Sequence, residues 1–108
     1  MEIAEYIIRI LRTQIVVVMS WGFHKAKAIE NGLAFMVQGF KFSGRVEVIY
    51  DEGWDLFDIR LLNEDGSIRK QVEGVFVDGV VSTIDNLVEH CSNYEERVRS
   101  EYAIVLKK

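Results

Sequence analysis

No proline, no repeat and no low-complexity tract interrupts this chain, so nothing in its 108 residues marks an interior linker. Cysteine is almost missing as well. The single Cys91 excludes an intrachain disulfide, no Cys/His spacing suggests zinc, and a reducing cytosol is the expected setting. Long apolar runs are also lacking. The stretch "YIIRILRTQIVVVMSW" is broken by Arg9, Arg12 and Gln14, leaving only "IVVVM", far short of the ~20 residues that span a bilayer. Glu2 and Glu5 stand where a secretory signal needs positive charge, so the chain reads as soluble and unprocessed.

Catalytic signatures are absent too. There is no GxSxG, P-loop, GxGxxG or HExxH, and no nucleophile–base pair from which to name a reaction. His90 and Cys91 are adjacent on an expected helix, so their side chains diverge by ~100°. No cofactor and no metal are expected.

What is present is the composition of a globular domain, 49% hydrophobic and 28% charged. Its length suits one domain with one core. Charge is unevenly spread. Residues 1–50 hold six basic and four acidic side chains (+2), and residues 51–108 hold seven and thirteen (−6), which together give the net −4.

Periodicity predicts an α+β fold. Ile3, Ile7, Ile10 and Leu11 recur at helical spacing, giving an amphipathic helix over about 2–13. The β-branched "IVVVMSW" reads as a strand or as a continuation of that helix, with the strand preferred. "GFHKAKAIENG" reads as a connection containing a helical turn. Four strand-like runs follow, "LAFMVQGFKF", "RVEVIY", "DLFDIRLL" and "SIRKQVEGVFV", with connections short enough for an antiparallel meander of four to five strands. The apolar phase switches at Gly39, placing Phe40 and Phe42 in the core, and again at Gly74. Both glycines suit β-bulges. One or two C-terminal helices close the chain: Val80, Val81, Ile84, Leu87, Val88 and Cys91 form one stripe, and "SNYE" is a capping box for a second. The tail 103–108 is either helix or strand.

The most chemical-looking stretch is "YDEGWDLFD", residues 50–58. Asp51 to Trp54 read as a hairpin turn, with Tyr50 opposite Asp55, Val48 opposite Phe57 and Val46 opposite Ile59. Asp55 and Asp58 then point to opposite faces, and neither EF-hand register supplies the required glycine and glutamate. Asp58 and Glu47 belong to a solvated ladder with Arg45 and Arg60. Asp55 is the exception. On the core-facing phase, beside Tyr50 and opposite Gly74, it is either a hydrogen-bonded group at a frayed sheet end or part of a small polar pocket with Tyr50, Trp54 and Gly74.

Trp21, Trp54, Ile49, Leu56, Leu62, Met36 and Ala34 fall on the phase opposite the inferred core, and one layer of helices cannot cover both faces. Contiguous apolar surface of that kind marks an interaction site. The function expected from the sequence is therefore a cytosolic, non-catalytic binding or assembly module that self-associates through its sheet or takes a protein partner. The alternatives are a small-ligand binder or enzyme at Asp55, and a nucleic-acid accessory protein using Lys25, Lys27, Lys41 and Arg45.

Overall fold

The computed structural model describes residues 3–89. The order is α1 (Ile3–Arg12), α2 (Ile15–Ser20), β1 (His24–Ile29), β2 (Gly32–Gln38), β3 (Ser43–Asp51), β4 (Leu56–Leu62), β5 (Ile68–Val75), a 3-10 turn (Val77–Gly79) and α3 (Val80–Val88). The strands form one antiparallel sheet in the order β1-β2-β3-β4-β5, so every ladder joins chain neighbours. The second expected C-terminal helix and the tail lie outside the described residues.

Helix α1 forms as its spacing predicts. Ile7, Ile10 and Leu11 are buried on one face, Glu5 lies in the first turn, and Arg9 and Arg12 in the last, which complements the helix dipole. It stops where Thr13 donates its hydroxyl to the Ile10 carbonyl at 2.6 Å.

The next segment corrects the sequence reading. Residues 15–20 are helix, not strand. A β-branched run lowers helix propensity by only a few tenths of a kcal/mol per residue. That is outweighed here because a helical turn carries Val18 and Trp21 together into the core. Ile15, Val16 and Met19 remain exposed on the other side.

Strand β1 is the second correction: the sequence points to a connection over 24–29, and the chain forms a strand there. Its burial shows no alternation because it is an edge strand, exposed over its middle four residues. Trp21 is the third: it lies in the core, not on the opposite phase, and donates Nε1–H to Asp85 Oδ1 at 2.9 Å. Phe40 is the fourth. It sits in the β2–β3 loop and is exposed, whereas Phe42 is core as expected.

One face of the sheet meets the helices. Leu33, Phe35, Val37, Val46, Val48, Phe57, Ile59, Leu61 and Val75 pack with α1, Val18, Trp21 and α3 in one apolar cluster. The β2–β3 loop clamps the end of α3. Lys41 N–H bonds the Val88 carbonyl at 2.9 Å, its Nζ bonds the Asn86 carbonyl, and the Glu89 carboxylate accepts from Phe40 N–H. Carbonyls that a helix end leaves unpaired are thereby satisfied from another element. Gly39 allows the approach, since a Cβ there would lie 2.3 Å from the Val88 oxygen.

The expected bulge at Gly74 is present. Two residues of β4 (Phe57 and Ile59) span partners three apart on β5 (Val75 and Val72), and Gly74 has φ +70°. At Gly39 the expected bulge is replaced by the loop, because β2 ends at Gln38.

Candidate functional site

The sheet face turned away from the helices is built in cross-strand rows. One row runs His24, Met36, Arg45, Leu62, Ile68; the next runs Lys27, Ala34, Glu47, Arg60, Gln71; the third runs Ile29, Gly32, Ile49, Asp58. Asp51 and Leu56 pair at the far end. A polar central row is thus bordered by a band containing Met36 and Leu62 and a band containing Ile29 and Ile49.

Glu47 holds the centre. Its carboxylate accepts Arg45 Nε–H at 3.0 Å, lies 2.9 Å from Arg45 Nη2, and faces Arg60 Nη1 at 3.6 Å. Two guanidiniums share one carboxylate that is 13% exposed, leaving one positive charge uncompensated within the triad. Arg60 Nε is buried and has no hydrogen-bond partner among the described residues. A cavity of about 300 Å³ opens on the Met36–Leu62 side, lined also by Arg45, Glu47 and Asn63. A second, of about 440 Å³, opens between Ile29, Asn31, Ile49 and Arg60, and Glu47 borders both.

The register differs from the sequence reading by two residues. Tyr50 pairs with Phe57, Val48 with Ile59 and Val46 with Leu61. Parity is preserved, so each residue keeps its face, but the neighbours change. Arg60 now lies directly across from Glu47, and Asp58 lies across from Ile49. Asp58 leaves the charge ladder and accepts Gly74 N–H at 3.2 Å. Ile49 and Leu56 share a face without being cross-strand partners.

At the hairpin end, Asp55 is exposed with φ +54° and forms part of the turn. Tyr50 donates its hydroxyl to Asp55 Oδ1 at 2.6 Å. That bond to a carboxylate pushes the phenol up to about 12, since ionising it would put two negative charges together. Gly74 lies across from neither residue, and Trp54 projects into solvent, 78% exposed. Of the ligand-pocket candidates, the structure joins Tyr50 to Asp55 and leaves Trp54 and Gly74 apart from that bond. In the turn after β4, Ser67 donates backbone and hydroxyl hydrogen bonds to Asp65, which hold its carboxyl below the usual range.

Among the interface candidates, Ile49, Leu56 and Leu62 are half-buried on the outer face and Trp54 stands at its end, whereas Trp21 is interior. Two of the four basic candidates are engaged, Lys41 with Asn86 and Arg45 with Glu47. Among the described residues, no group of three or more His, Cys, Asp or Glu is placed to hold a metal, and no helix is long and apolar enough to cross a membrane. The sequence places Arg45, Glu47 and Arg60 in one ladder with Asp58; the structure takes Asp58 out and sets Arg60 directly across from Glu47. The signal for the triad is Arg45 and Glu47 at i, i+2 on one strand face, completed only by the correct register. Comparison with protein-family models, curated proteins and solved structures found no match to this chain.

Proposed function

We propose that this chain is a non-catalytic assembly module that pairs with a second copy through the outer face of its sheet. The observation that carries this reading is the row arrangement: Met36, Leu62 and Ile68 on one side of a charged centre and Ile29 and Ile49 on the other, with no described element covering them. Such a face is self-complementary. A two-fold axis running along the strands between Glu47 and Arg60 sets like band on like band and brings Glu47 of one copy to the exposed part of the Arg60 guanidinium of the other, adding a carboxylate where the triad leaves one positive charge uncompensated. Burying Met36, Ile49 and Leu62 more fully contributes up to ~1.5–3 kcal/mol per side chain, against the entropic cost of association.

The sheet edges favour face over edge. On β1, a register irregularity lies between His24 and Lys27 and contains Lys25, which has φ +53°. On β5, Arg69 and Lys70 stand beside a second irregularity, with the Gly74 bulge farther along. Lysines and bulges are the devices that stop strands from adding to an edge.

Light scattering across a concentration series tests the reading. The wild-type chain is expected at dimer mass, and Ile49→Lys combined with Leu62→Lys at monomer mass with an unchanged circular dichroism spectrum. Both positions are partly solvated, so lysine is tolerated in a free monomer. A wild-type chain that stays monomeric at every concentration sinks the proposal.

A further inference from the structure

A different surface lies at one end of the sheet. Asp51 pairs with Leu56 and Phe57 with Val75, so the β3–β4 turn and the segment leading from β5 to α3 emerge side by side. Trp54 is 78% exposed there, Phe76 70% and Val77 45%, with Leu56 half-buried. Single exposed apolar residues need no explanation, but two aromatics and a valine at one end form a patch of the kind that marks interaction sites.

The patch is rimmed by charge of one sign. Asp51, Glu52, Asp55, Glu73 and Asp78 are all exposed, and none is in an ion pair among the described residues. Residues 46–59 and 71–82 contain no lysine and no arginine. This composition selects the occupant. A second copy seated patch on patch would bring the two acidic rims together, and nucleic acid or an anionic membrane would be repelled. What fits is positive charge carried alongside apolar side chains.

We propose that this end of the sheet is a docking surface for a cationic protein segment, one with an apolar anchor flanked by lysine or arginine. The anchor lies on Trp54, Phe76 and Val77. The flanking cations meet the acidic rim and the faces of the two aromatic rings, where a cation is attracted by the ring quadrupole.

Trp54 is a built-in reporter, because Trp21 is fully buried. The test is a titration with a capped peptide of alternating lysine and leucine, with a lysine–glycine and a glutamate–leucine peptide of equal length as comparisons. It is run on the wild-type chain and on the Ile49→Lys/Leu62→Lys variant, so that its outcome is separate from self-association. The expected result is a saturable blue shift of Trp54 emission with the lysine–leucine peptide alone. Affinity should fall by at least about tenfold in Phe76→Ser/Val77→Ser, in Asp51→Asn/Glu52→Gln/Asp78→Asn, and on raising salt. Both variants alter exposed side chains and leave the reporter in place. Absence of a saturable shift overturns the proposal. So does equal binding of the lysine–glycine peptide, or affinity unchanged by Phe76→Ser/Val77→Ser.

Discussion

The same strands build both faces of the sheet, and the two faces reach burial by different means. Toward the helices, Leu33, Phe35, Val37, Val46, Val48, Phe57, Ile59 and Leu61 bury against side chains of other elements. Away from them, Ala34 is just as buried with no described helix above it. It lies between Glu47 and Lys27 in its row, with Met36 and Arg45 beside it. Its row neighbours are long side chains, of the kind whose stems lie on apolar surface while their charges reach water. The inner face depends on close packing and is intolerant of lost volume. The outer face depends on mutual coverage by groups that also reach water, so it is adjustable.

Breaking the inner face should have the largest effect. Phe35 stacks on Trp21 with ring centres 6.5 Å apart and touches the Phe23 ring at 4.6 Å. Phe35→Ala is expected to lower unfolding free energy by ~3–5 kcal/mol in urea titration. A loss under ~1 kcal/mol would mean that the helix layer is not packed as described. Gly39→Ala tests the join between helix layer and sheet: the added methyl meets the Val88 oxygen, which is backbone and cannot rotate away. An expected loss of ~1–3 kcal/mol should appear in the same assay.

The outer face should respond less. Glu47→Gln removes both ion pairs, but the two arginine side chains are more than a third exposed. The loss is expected at ~1 kcal/mol or less and should shrink with added salt. A loss of several kcal/mol would give the triad a core-like role and erase the contrast between the faces.

The smallest effect concerns Tyr50 and Asp55. Because the Tyr50 pKa is raised, the stability due to its neutral form is fully present below the ordinary tyrosine value of ~10. That stability is lost as pH climbs toward about 12. Asp55→Asn should bring the Tyr50 titration down toward the ordinary value, with only a small loss of stability at neutral pH because the bond is exposed to solvent. Ultraviolet difference titration of the variant against wild type reads this directly. An unmoved Tyr50 would show that the bond to Asp55 is not what holds it.

Much of this architecture is written in local spacing. The α1 stripe, the alternation of β2 to β4 and the phase switch at Gly74 each report on a face that is buried against something, so each was legible. Strand β1 was not, because an edge strand with both sides near water has no apolar period to show. Helix α2 was misread because its residues favour strands while the burial of Val18 and Trp21 favours a helical turn; placing Trp21 by strand parity failed for the same reason. The hairpin register slipped by two because Asp55 was counted into the ladder, whereas its left-handed backbone puts it in the turn. A two-residue slip leaves burial correct and partners wrong. Hence the faces and the charged ladder were legible, and the direct pairing of Glu47 with Arg60 was not.

The order of the ladders also bears on how fast the chain finds this structure. Every strand pairs with its sequence neighbour, so hairpins form by closing short loops, which is quick. The distant contacts are those joining α3 to α1 and α2, typified by Trp21 and Asp85, 64 residues apart. Closing that span costs more chain entropy, so helix docking is expected after the main barrier. Ile84→Val should then speed unfolding with little change in the folding rate, and Val48→Ala should slow folding, both read by stopped-flow mixing. If Ile84→Val slows folding as much as Val48→Ala does, the two ends of the chain meet before the meander is complete.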